Sequence, residues 1–315
     1  MTTVAHKAKQ YWPVALKLLV LVLGFAYIYD KIQAEAFVVG PNISDNFTQH
    51  GYLVVVTFLL AATCNWLLEI AKWKRTVGIQ IPIGFSEAAK QSLGALTASL
   101  ITPNRIGEYG AKALYFPRHH RKRILFLNVV HHGAQMGTTV LFGIPAFAIF
   151  LYQYRVALRT DMLLYLCIFI LGISVLTYLF RKKQLGIQGL SLSNLWRHFK
   201  QILMGDKIAL LGFSIARYLV FSILFYGILW LFDASATFVT VAPLLCSMYL
   251  LASIVPTFFV LDVVVKGSVA VWLFSFAGIS EIAVLSTVFI MWVLNVVLPA
   301  IIGSYFVLTF KSGSR

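Results

Sequence analysis

Long apolar blocks constrain this chain more than any motif it carries. Residues 12–29, 51–71, 123–150, 161–180, 208–232 and 282–310 are each long and apolar enough to cross a bilayer as a helix, which takes about 20 residues for a hydrocarbon core of roughly 30 Å. Charge is correspondingly scarce. Of the 315 residues 60% are hydrophobic and 12% charged, with a mean hydropathy of +0.84, whereas a soluble domain carries about 25% charged residues. The strand alternation of an outer-membrane barrel is absent. The pattern predicts an all-α polytopic membrane protein with six full transmembrane helices, residues 1–315 forming a single membrane domain.

Two further apolar stretches are interrupted. Residues 85–116 break at Thr102-Pro103-Asn104, and residues 238–277 break at Pro256. Proline lacks an amide donor and disfavours helix in the residue before it, so each stretch reads as two half-helices with an irregular tip.

The net charge of +15 points to membrane sidedness and not to nucleic acid. Lys7 and Lys9, Lys72 to Arg75, the Arg118–Arg123 cluster, Arg181 to Lys183 with Arg197, Lys200 and Lys207, and Lys311 with Arg315 fall on one side of the spans. Lys31, Arg155 and Arg159 stand on the other, with Asp30, Glu35, Asp45, Asp161, Asp233 and Glu281. Basic loops face the cytoplasm, so both termini are expected there, in a bacterial cytoplasmic (inner) membrane. Ala34-Glu35-Ala36 has the form of a cleavage site after the first apolar block, but the topology needs that block as an uncleaved span.

On this reading the first broken stretch begins and ends inside and the second begins and ends outside. They are expected to be two opposed re-entrant helical hairpins. Residues 1–155 and 156–315 then form the two halves of an inverted repeat. SLITPNRIGEYGAK and SIVPTFFVLDVVVK support the match, with Ser99, Glu108 and Lys112 aligned on Ser253, Asp262 and Lys266 at one constant offset. Inverted repeats with broken helices are a transporter signature.

Glu108 and Lys112, four residues apart, can pair on one helix face; Arg105 stands at the break, and Asp262 and Lys266 repeat the spacing. Arg217 lies well inside the span 208–232. Ionisable groups within a membrane face the interior, pair, or line a wet cavity, and Arg suits an anionic headgroup. Arg105, Glu108, Lys112, Arg217, Asp262 and Lys266 are therefore the candidate substrate-binding residues, with Pro103 and Pro256 as the hairpin breaks. Glu69, Glu87 and Lys90 read as solvated or snorkelling side chains near the span ends. His131 and His132, with Asn128 and Gln135 close by, are candidates for a proton relay or a structural role. Adjacent histidines point roughly 100° apart on a helix, so no metal site is expected. Trp66, Trp73, Trp230 and Trp272 read as interfacial anchors. Cys64, Cys167 and Cys246 form no metal-spaced set. No phosphate-binding loop is present and no cofactor is implied.

The run Thr102-Pro103-Asn104-Arg105-Ile106-Gly107-Glu108 resembles the T-P-x-R-x-G-E motif of the lysylphosphatidylglycerol synthase transmembrane-domain family, also described as flippase-like membrane proteins. The resemblance implies movement of lipids or lipid-linked intermediates between leaflets. The soluble aminoacyl transferase domain sometimes fused to that family is expected to be missing. The family's second motif is Pro- and Gly-rich with a following acid; here Pro256 is followed by Thr-Phe-Phe-Val-Leu-Asp262 without glycines, the mark of a divergent member.

The leading expectation is a flippase for an anionic phospholipid or a polyprenyl-phosphate-linked lipid, and not an enzyme. The alternative is an intramembrane lipid-modifying transferase using His131 or His132 with Glu108 as acid–base groups. A scaffold for an envelope enzyme is a third reading.

Overall fold

The computed structural model describes residues 51–156 apart from 101 and 103–105, residue 178, and residues 191–310 apart from 234 and 256–260. Among these, nine helices follow one another: α1 Gly51–Gly78, α2 Phe85–Ser99, α3 Gly107–Leu114, α4 Arg121–Gln153, α5 Leu192–Gln201, α6 Met204–Phe232, α7 Phe238–Ile254, α8 Leu261–Ser275 and α9 Glu281–Leu308. Four of them, α1, α4, α6 and α9, are long and apolar enough to cross a membrane. The protein is a multi-pass, all-α membrane protein.

Local chemistry sets the helix ends. α1 closes with the Gln80 and Ile81 amides donating to Val77 O at 3.0 and 2.8 Å, and Pro82 prevents continuation. Thr102 stitches α2 to α3: its hydroxyl donates to Ser99 O at 2.7 Å and its oxygen accepts the Gly107 amide at 2.9 Å. Ser191 caps α5 by accepting the Asn194 amide, and Thr237 caps α7 by accepting that of Thr240, the usual role of short hydroxyl side chains at an N-cap. Gly278, at φ +68°, makes the turn between α8 and α9, a conformation that side chains disfavour.

Close packing relies on two glycines. α2 lies against the C-terminal half of α9, where a Cβ on Gly303 would stand 2.2 Å from Leu93 O. α4 lies against α7, where a Cβ on Gly143 would stand 2.6 Å from Leu250 Cβ. Small residues permit such approach between membrane helices. Two apolar clusters make up the core among the described residues. One gathers Phe150, Phe225, Ile228, Leu244, Phe274 and Val284; the other gathers Trp73, Val77, Ala88, Ile124 and Leu127. Within α9, Val293–Val297 form a π turn. The Trp66 indole N–H donates to the Asn295 carbonyl there at 3.1 Å.

The expected architecture is corrected here. Of the six expected crossings, 12–29 and, apart from residue 178, 161–180 lie outside the described residues, and four long helices occupy the positions of the other four. The re-entrant hairpins and the inverted repeat are not matched. Residues 85–116 hold two unequal helices of 15 and 8 residues; the first buries small, apolar and uncharged polar side chains, the second Glu108 and Lys112. Residues 238–277 hold helices of 17 and 15 residues, almost wholly apolar. A helix-breaking proline fixes where a helix stops, not the direction of the next one. Hydropathy and charge bookkeeping therefore over-read the two breaks as hairpin tips.

Candidate functional site

A polar stripe runs along α1. Asn65, Glu69, Lys72 and Thr76 recur at spacings of four, three and four residues, which places them on one helical face. α4 presents a matching stripe of Asn128, His131, His132 and Gln135. Buried polar groups in lipid must find partners, and these two stripes find each other and Arg217 of α6.

Glu69 is the hub. One carboxylate oxygen meets His131 Nε2 at 2.7 Å, and the other accepts from the Arg217 guanidinium. A carboxylate facing Arg217 can only accept, so His131 carries its proton on Nε2. His131 Nδ1 lies 3.2 Å from the Thr76 hydroxyl, and the residue is wholly buried. Arg217 also donates to Asn65 Oδ1 at 3.3 Å and Gln135 Oε1 at 3.4 Å. The Lys72 ammonium, buried as completely as His131, reaches the same Gln135 oxygen at 3.3 Å.

A second ion pair stands beside the first. Glu108 of α3 bonds Lys112 at 2.7 Å, its i,i+4 neighbour. Lys112 sits 4.2 Å above the Trp73 ring and 3.5 Å from Asn128 Oδ1. Burial pushes the Glu108 carboxyl up, but the Lys112 ammonium and His132 beside it outweigh burial and hold it well below the usual carboxylate range. His132 Nε2 lies 3.4 Å from Glu108 Oε1, within ion-pair reach but not aligned as a hydrogen bond.

Part of this cluster lines a cavity of about 230 Å³. Glu69, Lys72, Glu108, His132, Arg217 and Lys266 are among its polar lining residues. Phe221, Phe225, Met248, Val263, Val288 and Met291 are among its apolar ones. A ligand with a charged end and an apolar end fits such walls.

Of the expected site residues, the structure brings together Glu108, Lys112, Arg217, Lys266, His131 and His132. Arg105, Pro103 and Pro256 lie outside the described residues, as does the side chain of Asp262. Glu69 and Lys72 were expected to be solvated or topological and are instead buried at the centre; their helical phase with Asn65 and Thr76 is the signal that finds them. Trp73, expected at an interface, is fully buried with its indole N–H donating to Gln91 Oε1 at 2.8 Å. The expectation of a transporter without a catalytic constellation is also corrected. His131, His132, Glu69, Glu108 and Arg217 form a buried, interacting acid–base cluster of the kind an active site needs.

Comparison with protein-family models, curated proteins and solved structures gives no match to this chain. The resemblance carried by residues 102–108 therefore extends no further than the general class of polytopic helical membrane proteins.

Proposed function

We propose that this protein is an intramembrane enzyme that modifies the headgroup of an anionic lipid, a phospholipid or a polyprenyl-phosphate-linked lipid. The observation that carries the reading is the placement of His132 against Glu108 at the wall of the mixed polar and apolar cavity. His132 is a third exposed in its side chain while His131 is closed off, so the two histidines divide the work. His131 holds Glu69 and Thr76 in place. His132 is the acid–base residue.

Lys72, Arg217 and Lys266 line the cavity together with the acids Glu69 and Glu108. Both acids are already engaged by His131, Arg217 and Lys112. An entering phosphate meets the Lys72, Arg217 and Lys266 side chains of this lining in a low-dielectric site, where attraction between opposite charges is strong. The apolar wall receives the start of the lipid tail.

Glu108 as an ionised acceptor draws the proton of His132 onto Nε2, which leaves Nδ1 as the base. Catalytic hydrogen bonds are often long without substrate and tighten on binding, consistent with the 3.4 Å separation. A headgroup hydroxyl gives its proton to Nδ1 as its oxygen bonds to the carbonyl or phosphorus centre of a donor. The imidazolium then protonates the leaving group, so the residue ends as it began.

The test uses purified protein in liposomes of total polar lipid extract containing isotopically labelled phosphatidylglycerol. A labelled lipid of new mass, formed by the wild type and not by His132→Gln, is expected. Redistribution of the label between leaflets with no new mass would overturn the reading in favour of transport.

A further inference from the structure

A second cavity lies apart from the acid–base cluster. It occupies about 320 Å³ where α1 ends, α4 begins and α5 crosses beside them. Lys122, Arg123 and His198 line it with the amides of Gln80 and Gln201, over a floor that includes Phe126 and Ile202. Among the described residues no acidic side chain lines it. Arg123 donates to Gln80 Oε1 at 2.9 Å, and His198 Nδ1 lies 3.2 Å from Gln201 Oε1. These neutral partners orient Arg123 and His198 and leave the guanidinium charge uncancelled. Nearby, Arg75 is neutralised by Asp206 at 2.6 Å, so acid is available in this region but is not spent on the cavity.

The helix that borders the cavity identifies the surroundings. α5 turns Leu195 and Phe199 onto the apolar cluster below it and leaves Trp196 60% exposed, with the Lys200 ammonium 5.4 Å from the ring centroid. Leu203 and Met204, which follow directly, are 74% and 69% exposed. A short amphipathic helix with basic residues and an outward Trp, joined to bare aliphatic side chains, is the composition of a segment lying in the membrane interface. At that depth the abundant anions are phosphates of lipid headgroups.

We infer that this cavity is a binding site for the phosphate of an anionic phospholipid from the surrounding bilayer, held by Lys122, Arg123 and His198. The site is separate from the reaction proposed above and does not depend on it. Its effect is to fix α5, and with it the adjoining ends of α1 and α4, to the bilayer surface.

The experiment is native mass spectrometry of the full chain released from nanodiscs of phosphatidylcholine containing a minor fraction of phosphatidylglycerol. The wild type is expected to retain phosphatidylglycerol over phosphatidylcholine. Lys122→Gln with Arg123→Gln is expected to weaken that retention about tenfold or more, since each basic residue near an anionic surface contributes about 1 kcal/mol. The charge-conserving pair Lys122→Arg with Arg123→Lys is expected to keep it. Equal retention by the neutralised pair would overturn the site. Equal loss by the charge-conserving pair would overturn it as well, because the defect would then be one of folding. If inorganic phosphate binds with the same dependence on both residues while lipid retention is unaffected, the occupant is a free anion and the lipid assignment falls.

Discussion

His131 and His132, consecutive on α4, meet edge to face with ring centroids 5.2 Å apart, yet only His132 opens onto the cavity. Replacing each should separate the two roles. His132→Gln should keep the fold and lower turnover by about 10²- to 10⁴-fold, the range for loss of a general acid–base group. His131→Gln should instead lower the thermal midpoint, because it loosens the bonds to Glu69 and Thr76. Liposome assays and thermal melts on the same preparations check both.

Glu69 holds Arg217 and His131 at once. Glu69→Leu should destabilise the protein by about 3–5 kcal/mol, since it leaves a largely buried guanidinium without its counter-ion. Adding Arg217→Leu should recover much of that loss, because the unpaired charge goes with it. Unfolding in mixed detergent and denaturant, read for both single variants and the double, gives the coupling.

Acid should expose the second pair. The Glu108 carboxyl, held below its ordinary value of 4.5, contributes stability that is present above that value and lost as pH falls through its lowered pKa. The wild-type melting temperature should therefore carry an acid-sensitive component below about pH 4.5. In Glu108→Gln this component should be absent. Melts between neutral and acid pH in a pH-tolerant detergent test the sign.

Glycine substitutions should differ by position. Gly303→Ala drives a methyl to 2.2 Å from Leu93 O and should cost about 1–3 kcal/mol. Gly212→Ala meets nothing within 4 Å and should be neutral or stabilise by up to about 1 kcal/mol. Thermal melts of the two variants make the comparison.

Charge distribution predicts sidedness. In a cysteine-free background, a single cysteine at Ser280 should react with an impermeant thiol reagent added to intact cells. One at Asn194, among the basic residues of α5, should not.

The four long helices were legible because about 20 apolar residues in a row have few other uses. The Glu108–Lys112 pair was legible from its spacing alone. Glu69 and Lys72 were read by their distance from a basic span end, which says nothing about direction around the helix; their phase with Asn65 and Thr76 does. The partners across the bundle could not be read at all. Arg217 meets Glu69 from a helix 148 residues away, and Lys72 meets Gln135 from 63 residues away. No local rule encodes such separations. The course of the chain beyond Thr102 and Val255 was likewise hidden, since a proline says nothing of the direction that follows it, and Pro145 and Pro243 lie inside helices.

The π turn at Val293–Val297 gives α9 two rotational phases. One additional residue in a turn advances every later side chain by about 100° around the axis. Ahead of the turn, Val288, Met291 and Trp292 face the cavity; beyond it, Gly303 faces the α2 backbone. In an uninterrupted α-helix these two surfaces would drift out of alignment, and either the cavity wall or the seat of α2 would turn toward lipid. The helix thus holds a fixed angle in its residue count, and the Trp66 indole on the Asn295 carbonyl latches that angle to α1.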